Sequence, residues 1–141
     1  MKTRNQRGFT LIELVLVITI LGILAVAALP SFINVSTQAE QASRDGVVGA
    51  VRSGIALFRA NDLVVNGPPG AYPATLDNSA AGVTASSTEL FFEDILQQGV
   101  ADGSWAKDAA SALIYIFDDG TTTYTYTYVP ATGAFSSPTA P

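Results

Sequence analysis

The sequence predicts an α+β protein in which a long N-terminal α-helix packs, by its second half, on a small C-terminal antiparallel β-sheet. Three observations predict it. An unbroken apolar run opens the chain, a helix-periodic stretch follows, and two strand-like segments flank an Asp-Asp-Gly turn further on. Helix first and antiparallel strands later is the order of an α+β layer pair. The 141 residues suit one ordinary domain beside the apolar run.

The first element is residues 9–29, FTLIELVLVITILGILAVAAL, 21 residues with a single charge, Glu13. As a helix it measures about 32 Å, close to the ~30 Å hydrocarbon core of a bilayer. Apolar residues occupy every face, so the segment is lipid-facing or buried and not amphipathic. Lys2, Arg4 and Arg7 precede it and the next cation is Arg44, which places the N-terminus in the cytoplasm. All twelve acids follow Gly8, so removing the first eight residues changes the side-chain charge from −5 to −8. A basic head on an acidic body is a targeting pattern. Just past the run, Pro30 removes a backbone donor and clashes with the carbonyl four residues back, predicting a kink over 26–29. Gly22 weakens the helix by ~1 kcal/mol relative to alanine.

An ordinary membrane anchor, or a secretory signal cut near Ala25-Val26-Ala27, accounts for the apolar run. Neither explains Glu13. A carboxylate at the centre of a membrane helix costs roughly 2.5–3.5 kcal/mol, somewhat less near an end, and such an acid asks for a partner.

After Pro30, Val47, Val48, Val51, Ile55 and Phe58 recur at three- and four-residue steps, an amphipathic helix with a core-facing stripe. Small residues (Ala39, Ala42, Gly46, Gly49) form a second line suited to close packing. The helix is expected to stop near Asn61-Asp62, which divides the chain into 1–8, 9–29, 30–62 and a globular 63–141. Residues 63–85, with Asn66-Gly67-Pro68-Pro69-Gly70, read as loop. Ser86 and Glu89 have capping-box spacing, predicting a short helix over 90–98 that buries Leu90, Phe91, Ile95 and Leu96.

Residues 112–117 and 121–129 read as strands around Asp118-Asp119-Gly120. In the second strand Tyr124, Tyr126 and Tyr128 share one face, and packing on the helix is favoured over a carbohydrate-stacking surface. Asp118 and Asp119 are turn residues before they are a calcium site. Pro130 onward reads as a further turn or short strand, and 136–141 as a frayed end.

The composition excludes much chemistry. Without cysteine or histidine there is no disulfide, thiol nucleophile or Ser-His-Asp centre, and a zinc site is not expected. The negative charge is the wrong sign for nucleic acid. No catalytic residue, metal or cofactor is expected.

The run Arg7-Gly8-Phe9-Thr10-Leu11-Ile12-Glu13-Leu14 resembles the processing site of type IV pilins and pseudopilins. The resemblance implies cleavage after Gly8 by a prepilin peptidase and N-methylation of the new N-terminal residue, Phe9. It also implies that Glu13 of one subunit meets the α-ammonium on Phe9 of a neighbour, and that Gly22 and Pro30 are helix-weakening positions. At ~4 Å and an effective dielectric of about 20, such a pair attracts by on the order of 4 kcal/mol before desolvation is subtracted. The function implied is that of a structural filament subunit serving attachment or motility. Its site is a single pass of the bacterial inner membrane before assembly and an extracellular or periplasmic filament afterwards. Implied partners are further pilins in a helical homo-oligomer, the peptidase, and an assembly platform with its ATPase. Ser31-Phe32-Ile33-Asn34-Val35 and Gly46-Val47-Val48-Gly49-Ala50 resemble the mannose-sensitive haemagglutinin-type pilins. The absent cysteines and Tyr72-Pro73 suit a type II secretion pseudopilin, the alternative that supports protein export.

Overall fold

A computed structural model describes residues 9–136. The expectations for residues 1–8, Gly8 among them, and for the end beyond Ser136 lie outside the described residues. Helix α1 spans Leu11–Asn66, and four strands follow: β1 Trp105–Lys107, β2 Ile114–Asp118, β3 Thr123–Val129 and β4 Ala134–Phe135. They form one antiparallel sheet in the order β1-β2-β3-β4. The chain divides into two units, Met1–Ser36 and Thr37–Pro141.

In the first unit every described side chain from Phe9 to Ser36 is exposed. Sixteen of these are large apolar residues, from Phe9 to Val35. Burying one such side chain is worth roughly 1.5–3 kcal/mol. So large a contiguous apolar surface is of the kind that a membrane or a protein partner covers.

The second unit has its own core. Val48, Val51 and Ile55 of α1, at helical spacing, are buried with Leu76, Phe91, Phe92 and the inner face of the sheet. Strand alternation and register put that face together: Trp105 lies opposite Phe117, Tyr115 opposite Tyr126, and Tyr128 opposite Phe135. Phe92 sits at the centre, tilted on Tyr115 at 4.6 Å and edge-on to Trp105 at 5.5 Å, while Tyr126 stacks on Phe135 at 5.2 Å. Each such pair adds ~0.5–1.5 kcal/mol beyond its buried area. Tyr126 and Tyr128 thus pack inward as their alternation predicts, and Tyr124 lies under the Arg44 guanidinium, 4.1 Å away.

Sequence and structure differ in several places. Helix α1 runs a turn past Asn61-Asp62. Asp62 supports this last turn: its Oδ1 accepts the Asn66 side-chain amide and its Oδ2 the Ala71 N–H, both at 2.6 Å. Gly67, at φ +81°, ends the helix by donating its N–H to the Leu63 carbonyl. Residues 90–98 are not helical. Ser86 Oγ does accept the Glu89 N–H at 3.2 Å, but Ser86 and Glu89 also exchange backbone bonds that close a tight turn. Phe91 then pairs with Val100 as an isolated bridge, and Phe92 turns to φ 62° so that both rings enter the core. Phe58 is exposed and lies outside the core. The small residues Ala39, Ala42, Gly46 and Gly49 all face outward.

A further difference is β1, which brings Lys107 into the core. Its ammonium and the Asp77 carboxylate pair with side chains 1% and 0% exposed. Asp77 Oδ1 also accepts the Ser79 N–H at 3.0 Å, and Oδ2 accepts the Phe92 N–H at 3.1 Å and the Tyr115 hydroxyl at 2.9 Å. Lys107 donates further to the Ser79 carbonyl at 2.7 Å. Burial, with Asp77 alongside, pushes the Tyr115 hydroxyl far up, so it remains a donor. This network ties the 77–79 loop and the Phe92 turn to the sheet, and it holds no site open to a ligand.

Candidate functional site

The chemistry-bearing end of the first unit is its N-terminus. Phe9 is 88% exposed. Thr10 precedes α1 and its carbonyl accepts the first helical bond, from Leu14 N–H at 3.2 Å. Thr10 Oγ1 accepts the Glu13 N–H at 3.3 Å, and Glu13 Oε2 accepts both the Thr10 N–H at 2.9 Å and the Thr10 hydroxyl at 2.8 Å. This is a closed capping box, a device worth about 1 kcal/mol. The Thr-x-x-Glu spacing announces it, yet reading Glu13 only as a partner for another chain passes over Thr10.

The box leaves Glu13 with a second function available. Among the described residues its Oε1 takes no hydrogen bond. A carboxylate fixed at a helix N-terminus with one oxygen free can accept a cation from outside the chain. Phe9 and Glu13 thus stand within one turn of each other at the exposed start of α1, while Gly8 lies outside the described residues.

Further along, helix α1 continues through both Gly22 and Pro30. Gly22 leaves a shallow groove of about 510 Å³ lined by Thr19, Gly22, Ile23 and Val26, and a methyl group there would meet nothing within 4 Å. Thr19 does not break the apolar surface, because its hydroxyl donates to the Leu16 carbonyl at 2.8 Å. The helix holds a segment long and apolar enough to cross a membrane.

In the second unit Asp118 and Asp119 serve a turn. Asp118 Oδ1 accepts the Gly120 N–H at 2.8 Å, and Asp119 Oδ1 accepts Thr121 N–H at 2.9 Å and Thr122 N–H at 2.6 Å. These bonds, that from Thr122 first, hold the Asp119 carboxyl below the usual aspartate range. Among the described residues no three acids converge as a metal site would require.

Residues 3–29 match the family model described as the prokaryotic N-terminal methylation motif. Among characterised proteins, the major component of the type IV narrow pilus of Thermus thermophilus is 51% identical over 53 residues, 38% of this chain and 46% of that one. The type IV major pilin of Neisseria gonorrhoeae is 36% identical over 83 residues, 59% of this chain and 44% of that one. The type II secretion system core protein G of Pseudomonas aeruginosa is 33% identical over 75 residues, 53% of this chain and 48% of that one. The chain spans about half the length of the curated relatives it matches. No solved structure matches it.

Proposed function

By its N-terminal segment the chain belongs to the type IV pilin and pseudopilin family, and from that premise we propose that it is the structural subunit of a type IV pilus-like filament. One observation carries the proposal: every described side chain from Phe9 to Ser36 is exposed, and sixteen of them are large and apolar. Two environments satisfy it in turn. Before assembly it is lipid; after assembly it is the same segment of neighbouring copies, with the Gly22 groove as a place of close approach.

In this reading prepilin peptidase cuts after Gly8, Phe9 becomes the methylated N-terminus, and Glu13 Oε1 receives the α-ammonium of a neighbour. The Thr10 bonds keep the carboxylate at the helix end for that contact. Residues 9–29 form the transmembrane and then filament-core segment, 30–62 with the further turn to Asn66 the amphipathic half, and the rest of the chain the head, with Gly22 and Pro30 letting the helix adjust. The protein works by polymerising and not by catalysis. An assembly platform and its ATPase drive extraction from the inner membrane, which the chain crosses once with its N-terminus inside.

Electron microscopy of the producing cell, with and without the gene, tests the proposal. Long surface fibres that disappear on deletion support the pilus. Lost protein export without any surface fibre supports the secretion pseudopilus, which the similarity to core protein G keeps as the second reading.

A further inference from the structure

The described residues carry four cations, and three are engaged within the chain. Lys107 is buried on Asp77. Arg44 pairs with Asp45 and covers Tyr124. Arg59 lies 4.7 Å over the Tyr72 ring and donates to the Tyr72 hydroxyl and the Pro69 carbonyl. Arg52 differs. It is exposed, donates one long bond of 3.3 Å to the Phe135 carbonyl, and among the described residues meets no carboxylate at ion-pair distance.

A groove of about 340 Å³ lies between α1 and the turn after Phe91, lined by Gly54, Leu57, Phe58, Asn61, Asp94 and Ile95. Gly54 permits it, since a methyl group there would come within 2.7 Å of the Ile95 carbonyl oxygen. Its walls are apolar, with Leu57 70% exposed. Its polar end is Asp94, whose carboxylate has, among the described residues, only bonds at the 3.5 Å limit from Thr75 and Asn78. An apolar wall ending in an under-used carboxylate fits an arginine, with the stem along Leu57 and Phe58 and the fork on Asp94.

Arg52 and Asn61 are nine residues apart, so at about 100° per residue they point to opposite flanks of α1. A two-fold contact needs both partners on one surface, which this arrangement denies. The contact is therefore head-to-tail, the kind that propagates. We propose that Arg52 of one copy docks in the Asp94 groove of the next, a contact that sets subunit register in the filament. The proposal rests on the filament reading above. It also gives each acidic subunit an attractive contact with its neighbour, where like charges would otherwise repel.

The chain has no cysteine, so an Arg52→Cys, Asp94→Cys double variant gives a clean test in the producing cell. Treating its fibres with a short bis-maleimide cross-linker, which spans the reach of the replaced arginine, should give a ladder of trimers and longer species, whereas each single variant stops at dimers or fewer. In a second arm, Arg52→Glu and Asp94→Arg each lower fibre yield several-fold, and the two together restore it. Wild-type fibres with neither ladder nor charge-swap rescue overturn this contact alone. A wild-type cell that makes no polymer of this chain overturns the filament reading, and the contact with it.

Discussion

Asp77→Ala is the sharpest test of how the head is held together. Asp77 receives four donors: the Lys107 ammonium, the Ser79 and Phe92 N–H groups and the Tyr115 hydroxyl. Breaking a buried ion pair from one side costs ~3–5 kcal/mol, because the surviving charge stays buried. Orphaning the three neutral donors adds ~1–3 kcal/mol each where they cannot reach water. Relaxation recovers part of this, so about 4–6 kcal/mol is expected, a large share of the ~5–15 kcal/mol of an ordinary domain. Lys107→Met removes the cation but leaves the carboxylate with three donors, so about 3 kcal/mol is expected, at the low end for a broken pair. At ~4–8 °C per kcal/mol, Asp77→Ala lowers Tm by roughly 20 °C or more. Trp105 is the one tryptophan and is fully buried, so its fluorescence in the full chain held in detergent reports unfolding of the head. A loss below about 1 kcal/mol for Asp77→Ala, or a larger loss for Lys107→Met, would refute the ordering argued from these four bonds.

Two further outcomes are expected. Glu13→Ala should be processed and inserted yet assemble poorly as the sole subunit type, and a normal yield of sheared fibres would contradict the role given to its free oxygen. Asp119 is held below the ordinary aspartate value, chiefly by the Thr122 N–H, so its contribution is complete above about pH 3.9 and lost as the pH falls through the lower folded value. The stability gap between wild type and Asp119→Asn should therefore be widest near neutrality and close below about pH 4, and denaturant melts at both pH values that show one constant gap would contradict it.

Much of the fold is legible in the sequence because its signals are local. The stripe of Val48, Val51 and Ile55 and the alternating tyrosines each repeat at the period of the element they form. The hidden parts depend on distant partners. Lys107 reads as a surface cation because Asp77, 30 residues upstream, is its partner. The strand that carries it has only three residues. The Ser86–Glu89 box misleads because the adjacent Phe91 and Phe92 both have to enter the core, and a helix would point them about 100° apart. At the candidate site, Glu13 stands out as a lone charge among apolar residues, whereas Thr10 is an unremarkable residue whose importance lies in its bonds to Glu13.

The most direct test is the intact mass and N-terminal sequence of the subunit recovered from sheared surface fibres. The account predicts a chain beginning at N-methylated Phe9 with everything downstream retained. A subunit beginning near Ala28, or one still carrying Gly8, would contradict it.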